Sequence, residues 1–570
     1  LRGAQRVGMV VALRAGDDAS LKPLGRVADP EPVLSPAQLD LVGWISAESL
    51  SSIGSTCAAL LPPPARSGSV SFPARRSPRP SPAPKPELFT GAGRETRALE
   101  RIERTDGTVL VLAPDVETSA RWAQRLAKLG PAVRLDSGVG DEARAAAWRA
   151  LGEGTARLAT GTRSALLAPL VAPATLVLVD EHEAAHRPPG HPRIHAREVV
   201  LERARREGAQ VLLTSATPSV ETWWRADAGR LTAATAPPGP WPAVALADTR
   251  GILRREPLTP PLARAIRETL AAKRRVFLAV SRLTSSLACD ECGEVLRCET
   301  CRLALSYSRA AATLTCRVCG RSQPLPDTCP SCHGRRLSPF GWGAERVEHA
   351  VRRRFPDARI ARYDPEAARG ARGEAQRRAA AAADVVVGTR GALRLFGPAS
   401  LGLAGFVSPD QLLRIPDFRA GERALAFLWA AAERVGAGGQ LIVQSQHPTH
   451  YAFDAAARQD LAGFYTHELK FRAELGYPPF RRLAIVGVRG SAPAETQKLA
   501  ERVGAALGAT PELTVYPPAP DRRDRGRRIV VKGKADLPRL LAAALAGFRE
   551  GAAARRGIID VEVDPIEWPF

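Results

Sequence analysis

Short apolar runs alternate with stretches of helical composition between residues 87 and 245. The predicted strands are Val109–Ala113, Arg157–Thr160, Leu176–Asp180 and Val211–Thr214. The stretches of helical composition between them are Ser119–Leu129, Asp141–Leu151 and His195–Arg206. Strands that alternate with helices in this way are typical of a parallel sheet covered by helices.

A second series of the same kind follows and is interrupted by a cysteine-rich segment at residues 289–332. Its predicted strands are Arg275–Val280, Arg359–Tyr363, Asp384–Thr389, Leu403–Val407 and Gln440–Gln444. After about residue 465 the order changes, and two helices separate three strands. These last strands are Leu483–Arg489, Ile529–Lys532 and Ile558–Val563. That order predicts a small α+β domain at the end of the chain.

The first 86 residues contain a small folded piece and a linker. Val7–Leu13 is a strand-like run, and Ser35–Ala59 has a helical pattern. Residues 62–86 are rich in Pro, Ser and Arg, which predicts an extended linker. The sequence therefore divides at 1–61, 62–86, 87–245, 246–464 (with the insertion 289–332) and 465–570. Because it begins with Leu1, we expect that upstream residues are missing.

The charge of the chain changes the range of functions to consider. The 570 residues carry a formal net charge of +22, which argues against a free-standing small-metabolite enzyme. It favours a polyanionic partner, with nucleic acid ahead of a membrane surface. No apolar run reaches the roughly 18 residues of a membrane span, and no signal peptide opens the sequence. We therefore expect no membrane partner and a cytoplasmic location.

Eight of the nine cysteines form four Cys-x-x-Cys pairs. Such a turn aims both sulfurs at one point, and zinc takes four such ligands tetrahedrally. The eight thiolates therefore predict two zinc ions, each in a closed structural site. An iron–sulfur cluster is the alternative, although it more often uses a tighter or less regular run of cysteines. The ninth cysteine, Cys57, is alone and is expected to be a buried apolar thiol.

The pairing of these knuckles has two possible forms. A nested arrangement joins the outer knuckles at one ion and the inner knuckles at the other. A sequential arrangement would have to close the first two knuckles over only five residues, so geometry favours nesting. The nested ligands are Cys289, Cys292, Cys329 and Cys332 for zinc 1, and Cys298, Cys301, Cys316 and Cys319 for zinc 2.

Two α/β units in series on a very basic chain suggest a nucleic-acid motor that binds ATP between its lobes. The candidate phosphate loop contains Gly91 and Gly93, but Arg94 stands where a phosphate-binding Lys is needed. Glu95 stands where a hydroxyl for magnesium is needed. The loop retains the form of an anion site, but we do not expect ordinary ATP–magnesium chemistry there.

The acidic motif of such a motor belongs at the end of a strand. Asp180 has the position of a magnesium ligand, and Glu181 has the position of the residue that orients the attacking water. Downstream, Thr214–Ser219 has the hydroxyl-rich form of a segment that couples the nucleotide site to the strand track.

Several segments together resemble the PriA family of replication-restart proteins, also called primosomal protein N′. The resemblance runs from about residue 7 to the C-terminus. The matching segments are Gly161–Leu166, Pro188–Arg197, Ser281–Leu283, Gly341–Arg346, Gly388-Thr389, Ile415–Arg419 and Leu475–Phe480. It implies two tandem RecA-like helicase lobes with an inserted double-zinc segment and a C-terminal α+β domain. It also implies a small β-containing N-terminal domain, the remnant of a 3′-DNA-binding domain, and the nested zinc pairing.

The departures from the family pattern are concentrated in the motor. The family carries Gly-Ser-Gly-Lys-Thr at 91–95 and Asp-Glu-Glu-His where this chain has Asp180–Glu183. Its Gly-His-Asp-Phe segment has become Leu395–Pro398, and the last arginine of its finger motif is Ala437. Losing such a finger costs roughly a thousandfold in turnover. We therefore expect a family member without helicase turnover, in which Gly91, Gly93, Arg94, Asp180 and Glu181 are vestigial. The linker 62–86 takes the place of the family's winged-helix domain.

The predicted function is a DNA-binding primosome protein that recognises stalled or branched forks and helps to reload the replicative helicase. Predicted partners are DNA junctions, primosome proteins, the replicative helicase and single-strand-binding protein, with a location at the nucleoid. Two zinc ions are the predicted cofactors, and ATP and magnesium stay open. An active 3′–5′ helicase and a zinc-ribbon RNA-binding or transcription-associated protein are the alternatives. Basic runs that could contact DNA are Arg352–Arg354, Arg369–Arg378 and Arg522–Lys534.

Overall fold

Two parallel sheets, each covered by helices, form the body of the protein in the computed structural model. The structure describes residues 9–10, 33–61, 82–237, 239–250, 256–281, 286–289, 291–292, 294–300, 304–308, 313–316, 321–340, 342–365, 370–413, 417–521, 526–549 and 557–566. Within this part of the chain, no helix is long and apolar enough to cross a membrane. Most of the strand predicted at Val7–Leu13 and most of the linker 62–86 lie outside the described residues.

The N-terminal piece contributes helices α1 (Pro36–Ser49) and α2 (Ile53–Leu60). Helix α1 begins with a capping box, in which Ser35 and Gln38 satisfy each other's backbone N–H groups. Its apolar face, with Leu41, Val42 and Ile45, is buried in the same core as the first sheet. The piece is therefore packed as part of the body.

The first lobe is built on seven strands in the order β3-β4-β2-β5-β6-β1-β7, all parallel. The strands are β1 (Glu87–Thr90), β2 (Thr108–Leu112), β3 (Ala132–Arg134), β4 (Leu158–Gly161), β5 (Ala174–Leu178), β6 (Gln210–Thr214) and β7 (Thr232–Thr235). The helices are α3 (Arg94–Glu103), α4 (Val116–Leu126), α5 (Asp141–Glu153), α6 (Ala196–Glu207) and α7 (Val220–Asp227). Every residue of β2 is buried because helices cover both faces of the sheet.

The second lobe is built on six parallel strands in the order β15-β16-β9-β17-β18-β8. The cysteine-rich insertion leaves it after β9 as two small antiparallel sheets, β10 with β14 and β11-β12-β13. The strands up to the end of the insertion are β8 (Ala243–Asp248), β9 (Arg275–Ala279), β10 (Ser286–Cys289), β11 (Ser306–Ser308), β12 (Thr313–Thr315), β13 (Ser322–Pro324) and β14 (Leu337–Phe340). Those that follow are β15 (Ile360–Tyr363), β16 (Val385–Gly388), β17 (Leu401–Phe406) and β18 (Gln440–Ser445).

Seven helices accompany these strands. They are α8 (Pro260–Ala271), α9 (Ala344–Arg354), α10 (Gly370–Ala382), α11 (Asp410–Leu413), α12 (Ala420–Val435), α13 (Tyr451–Arg458) and α14 (Leu461–Leu475). Two of the elements cross the boundaries predicted from sequence. Strand β8 spans the division at residues 245 and 246 and pairs with β18, so the second sheet begins before residue 246. Helix α14 spans residue 465 and buries Phe464 and Tyr465 in the core of the second lobe.

The C-terminal domain is an antiparallel sheet with helices packed against it. Its strands are β19 (Arg482–Gly490), β20 (Thr514–Val515), β21 (Ala519–Pro520), β22 (Arg527–Gly533) and β23 (Gly557–Val563). Its helices are α15 (Pro493–Gly508), α16 (Leu537–Ala544) and α17 (Ala546–Arg549). The predicted fold class is confirmed: two α/β lobes in series, an inserted cysteine-rich segment and a C-terminal α+β domain.

Replacing Leu110 with alanine will test the account of the first core. Leu110 is fully buried in β2, and its truncation is expected to cost about 2–5 kcal/mol of the free energy of unfolding. Urea unfolding of the full chain measures the change. The control is Ile558→Ala, because Ile558 is 68% exposed and its loss should cost less than about 0.5 kcal/mol. Equal shifts for both variants would contradict the packing.

Candidate functional site

The predicted phosphate loop joins the end of β1 to the start of α3. Gly91 and Gly93 both adopt positive φ angles, +77° and +63°. A side chain at Gly91 would also place its Cβ 2.7 Å from the carbonyl oxygen of Ala236, so this position requires glycine. The first backbone N–H groups of a helix have no partner within the helix. The loop and the start of α3 therefore retain the backbone form of an anion site.

Arg94, the first residue of α3, is bound by a carboxylate from the other lobe. Its Nη1 lies 2.8 Å from Oε1 of Glu433 and its Nη2 lies 3.1 Å from Oε2. Glu433 belongs to α12, so this two-pronged ion pair joins the lobes across the cleft. Burial acts to lower the pKa of Arg94, but Glu433 and Asp180 outweigh it and raise that pKa. The cation at the phosphate position thus already has an anionic partner.

Glu95 is held by its own lobe and does not serve the cleft. Its carboxylate pairs with Arg121 at 2.9 Å and with Arg125 at 2.5 Å, both on α4. A serine or threonine hydroxyl at this position would be a magnesium ligand in a phosphate loop of this type. Instead, the side chain ties α3 to α4.

The sequence predicted that Asp180 is the last residue of a strand. In the structure, Asp180 lies beyond the end of β5. Strand β5 ends at Leu178, and Asp180 has a φ of +49° with its N–H donating to Thr214 Oγ1. The side chain of Glu181 is fully buried. Its oxygens accept hydrogen bonds from Arg197, from the backbone and hydroxyl of Ser219, and from the Thr222 hydroxyl. A carboxylate with these partners is not available to orient a water in the cleft.

Two further residues of the acidic motif also contact the second lobe. Arg390 donates to Oε1 of Glu183 at 2.7 Å and lies 3.2 Å from Nε2 of His182. The Nδ1 of His182 faces the Ser215 hydroxyl at 2.7 Å. Burial acts to raise the pKa of Glu183, but Arg390 and His182 outweigh it and lower that pKa to about 2. Glu183 is therefore ionised at neutral pH and attracts Arg390.

A buried charged cluster joins the lobes at a second place. We call Glu221, Arg419, Glu422, Glu468 and Arg472 the buried junction. Arg419 donates to Glu221 at 2.6 Å, and Arg472 donates to Glu422 at 2.8 Å and Glu468 at 3.0 Å. Burial raises the pKa of Glu468, against the opposing charge of Arg472. Because it combines residues from both lobes and α14, the junction fixes one end of the interface.

Sequence reasoning missed the partners on the second lobe. Glu433 and Arg390 were not candidates, although Glu433 lies four residues before Ala437, in the segment that stands in place of the family's finger motif. The departure of that segment from the family pattern, together with Arg94 in the phosphate loop, was the available signal. The residues of the phosphate loop and the acidic motif do not fit ATP and magnesium. Arg94 is paired with Glu433, and Glu95 is paired with two arginines of α4. The carboxylate of Glu181 is buried and paired with Arg197.

Four cysteines converge at a candidate metal centre in the insertion. The sulfurs of Cys289, Cys292, Cys329 and Cys332 lie within 4.8 Å of one another. Two of the separations are 3.5 Å (Cys289 to Cys332) and 3.7 Å (Cys292 to Cys329). Zn–S bonds of about 2.3 Å put neighbouring sulfurs of a tetrahedron roughly 3.8 Å apart. The donor set therefore fits one structural zinc ion, in the outer pairing of the nested arrangement.

The inner set can be followed only in part. Cys298 and Cys316 are buried together with Leu287, Leu296 and Leu314. Their predicted partners, Cys301 and Cys319, lie outside the described residues. A second zinc ion thus stays a prediction. Cys57 is 3% exposed in the core of the first lobe, as expected, and burial raises the pKa of its thiol.

The three basic runs differ in what they present to solvent. Arg353 and Arg354 at the end of α9 are exposed, as are Arg372 and Arg378 on α10. In the third run, Arg528 and Lys532 are buried and donate to backbone carbonyls, so they do not form a DNA-facing surface. Arg369 and residues 522–525 lie outside the described residues.

Comparison with known proteins extends this picture. The family description "Primosomal protein N C-terminal domain" matches residues 473–566, and "3'DNA-binding domain (3'BD)" matches residues 1–62. Replication restart protein PriA of Bacillus subtilis is 29% identical, over 84% of this chain and 63% of that protein. PriA of Treponema pallidum is 32% identical, over 69% of this chain and 62% of that protein. The chain thus spans about three-fifths of the length of these relatives.

Among solved structures, RecG bound to a three-way DNA junction is 11% identical with a TM-score of 0.38, covering 78% of this chain and 50% of RecG. Two parallel α/β lobes in series, with a glycine loop at their interface, are a fold of the helicase-like class. With its terminal domains and its curated relatives, the chain belongs to the PriA family of replication restart proteins.

Removing one ligand of the outer cysteine set will test the metal centre. Cys332→Ser is expected to lower the zinc bound to the purified full chain by about one equivalent, because three thiolates do not complete the tetrahedron. Zinc is measured by elemental analysis after gel filtration. The control is Cys57→Ala, because Cys57 is buried in the first lobe. Zinc content that is unchanged in Cys332→Ser would contradict the assignment.

Proposed function

We propose that the protein recognises stalled or branched replication forks and promotes replication restart without unwinding DNA itself. In this role it helps to reload the replicative helicase, with primosome proteins and single-strand-binding protein as partners at the nucleoid. The observation that carries the proposal is the Arg94–Glu433 ion pair. In it, the cation of the phosphate loop is already bound by a carboxylate of the second lobe. Membership of the PriA family and the net charge of +22 support DNA as the ligand.

Binding of a fork by this chain rests on arginine contacts with phosphate. Such contacts position a protein on DNA and carry little sequence information. They also release counterions, so affinity falls steeply with salt. The exposed arginines of α9 and α10 are candidates for these contacts. Two zinc ions, one at each nested set of cysteines, stiffen the insertion as a platform for partners.

The active-helicase alternative keeps one feature in its favour. Asp180 is retained beyond β5, where a magnesium-binding carboxylate of a helicase would lie. The enclosed carboxylate of Glu181 weighs against it, because a residue that orients the attacking water must reach that water. The two functions therefore differ in one measurable property, the hydrolysis of ATP in the presence of DNA.

The full chain is expected to bind forked DNA with a steep salt dependence and to hydrolyse no ATP above background. Fluorescence anisotropy with a labelled fork, at several salt concentrations, measures binding, and phosphate release measures hydrolysis. DNA-stimulated hydrolysis that disappears in Asp180→Asn would overturn the proposal and favour the helicase. Tighter binding to RNA of equal length would favour the RNA-binding alternative instead.

A further inference from the structure

We propose that the Arg94–Glu433 pair is a latch that holds the two lobes in one closed arrangement without nucleotide. The inference rests on the proposed function and concerns the arrangement of the two lobes. That arrangement stays the same whether or not nucleotide is present. Helicase-type lobes close around a ligand and open again as rigid bodies. In this chain the contacts that close the cleft come from the protein itself.

The buried junction acts as the fixed end of the interface. Beside it, the backbone N–H of Val220 in the first lobe donates to Glu422 of the second at 3.1 Å. The ring of Trp223 stacks on Tyr465 with centroids 4.2 Å apart, and the Tyr465 hydroxyl donates to the Pro218 carbonyl. Separating the lobes here would break the Arg419–Glu221 ion pair, the hydrogen bond of Val220 and the stacking of Trp223 on Tyr465 at the same time. Opening must therefore occur at the other end, in the cleft.

Among the described residues, four ion pairs span the cleft end. Besides Arg94–Glu433, Arg390 pairs with Glu183 at 2.7 Å, Arg394 with Asp115 at 3.4 Å and Arg377 with Glu117 at 3.5 Å. In these last three pairs the cation comes from the second lobe. In the Arg94 pair the cation comes from the first lobe, and both Nη1 and Nη2 donate to the carboxylate. The Arg94 and Glu433 side chains are only 19% and 26% exposed, so solvent screens this pair less than an open surface pair.

A nucleotide would have to displace Glu433 before its phosphates could reach Arg94. The carboxylate is part of the same chain, so it competes with the free ligand as an intramolecular partner. The tethered anion needs no ligand in solution. The cleft therefore stays closed as long as the ion pair between Arg94 and Glu433 is intact, whatever the nucleotide concentration.

A charge exchange tests the latch directly. Arg94→Glu places two carboxylates face to face and should open the cleft, whereas the double variant Arg94→Glu with Glu433→Arg restores opposite charges and should close it again. Inter-lobe distance is measured by energy transfer between dyes on ketone-bearing residues at Glu153 and Arg353. Both positions are exposed, and this chemistry spares the cysteines. Circular dichroism and zinc content show that each variant is folded.

The wild type is expected to give one transfer efficiency that mant-ATP with magnesium does not change. Arg94→Glu should shift it to a lower efficiency with a broader distribution, and the double variant should return it to the wild-type value. Glu433→Gly, which removes the anion without adding repulsion, should shift it in the same direction. The matched control is Arg205→Glu, because Arg205 is exposed and its partner Glu202 lies on the same helix.

A nucleotide-dependent shift in the wild type would overturn the latch, and so would an unchanged efficiency in both Arg94→Glu and Glu433→Gly. Neither result requires ATP hydrolysis, so the proposed function could stand while the latch fails. Conversely, DNA-stimulated hydrolysis by the wild type would overturn the proposed function, whatever the distances show.

Discussion

The carboxylate of Glu433 forms a two-pronged ion pair with the guanidinium of Arg94. The closed arrangement of the two lobes depends on this contact. In a phosphate loop, a cation at the position of Arg94 attracts a phosphate from solution. Here the anion is a side chain of the opposite lobe, 339 residues away in sequence. At a position where a phosphate loop binds a phosphate from solution, this chain has an ion pair that connects its two lobes. Together with the buried junction, it joins two sheets of helicase type into one body.

The arginines of this protein serve its interior as well as its surface. Arg203 and Arg472 have almost no exposed side-chain area, and each holds backbone carbonyls or carboxylates from distant segments. Arg528 and Lys532 are engaged in the same way. The net charge of +22 therefore does not show how many cations are free to contact DNA. The cations left for phosphate are those exposed on helices such as α9 and α10.

The parts of the fold that were predictable are those with a strong local signal. Strands β2, β5 and β6 are apolar runs because helices cover both faces of the sheet, and the cysteine knuckles have a spacing that few other structures use. Strands β3, β7 and β8 were missed because their residues are partly exposed and carry no continuous apolar run. Short edge strands of this kind are defined by their neighbours.

The candidate site was predictable one residue at a time but not as an arrangement. Changes at Arg94 and Glu95 were visible against the family pattern, yet nothing local linked Arg94 to Glu433 or Glu183 to Arg390. Such pairs arise only when two folded lobes meet. The enclosure of Glu181 was hidden for a different reason, because its partners Ser219 and Thr222 follow another strand of the same lobe.

Calorimetric titration of a non-hydrolysable ATP analogue, with magnesium, into the full chain bound to forked DNA tests the central claim most directly. If the cleft is closed by Glu433, the wild type gives no saturable heat of nucleotide binding while it remains on the fork. Saturable binding of one nucleotide per chain would contradict the account, because it would place phosphate where the structure has the carboxylate of Glu433.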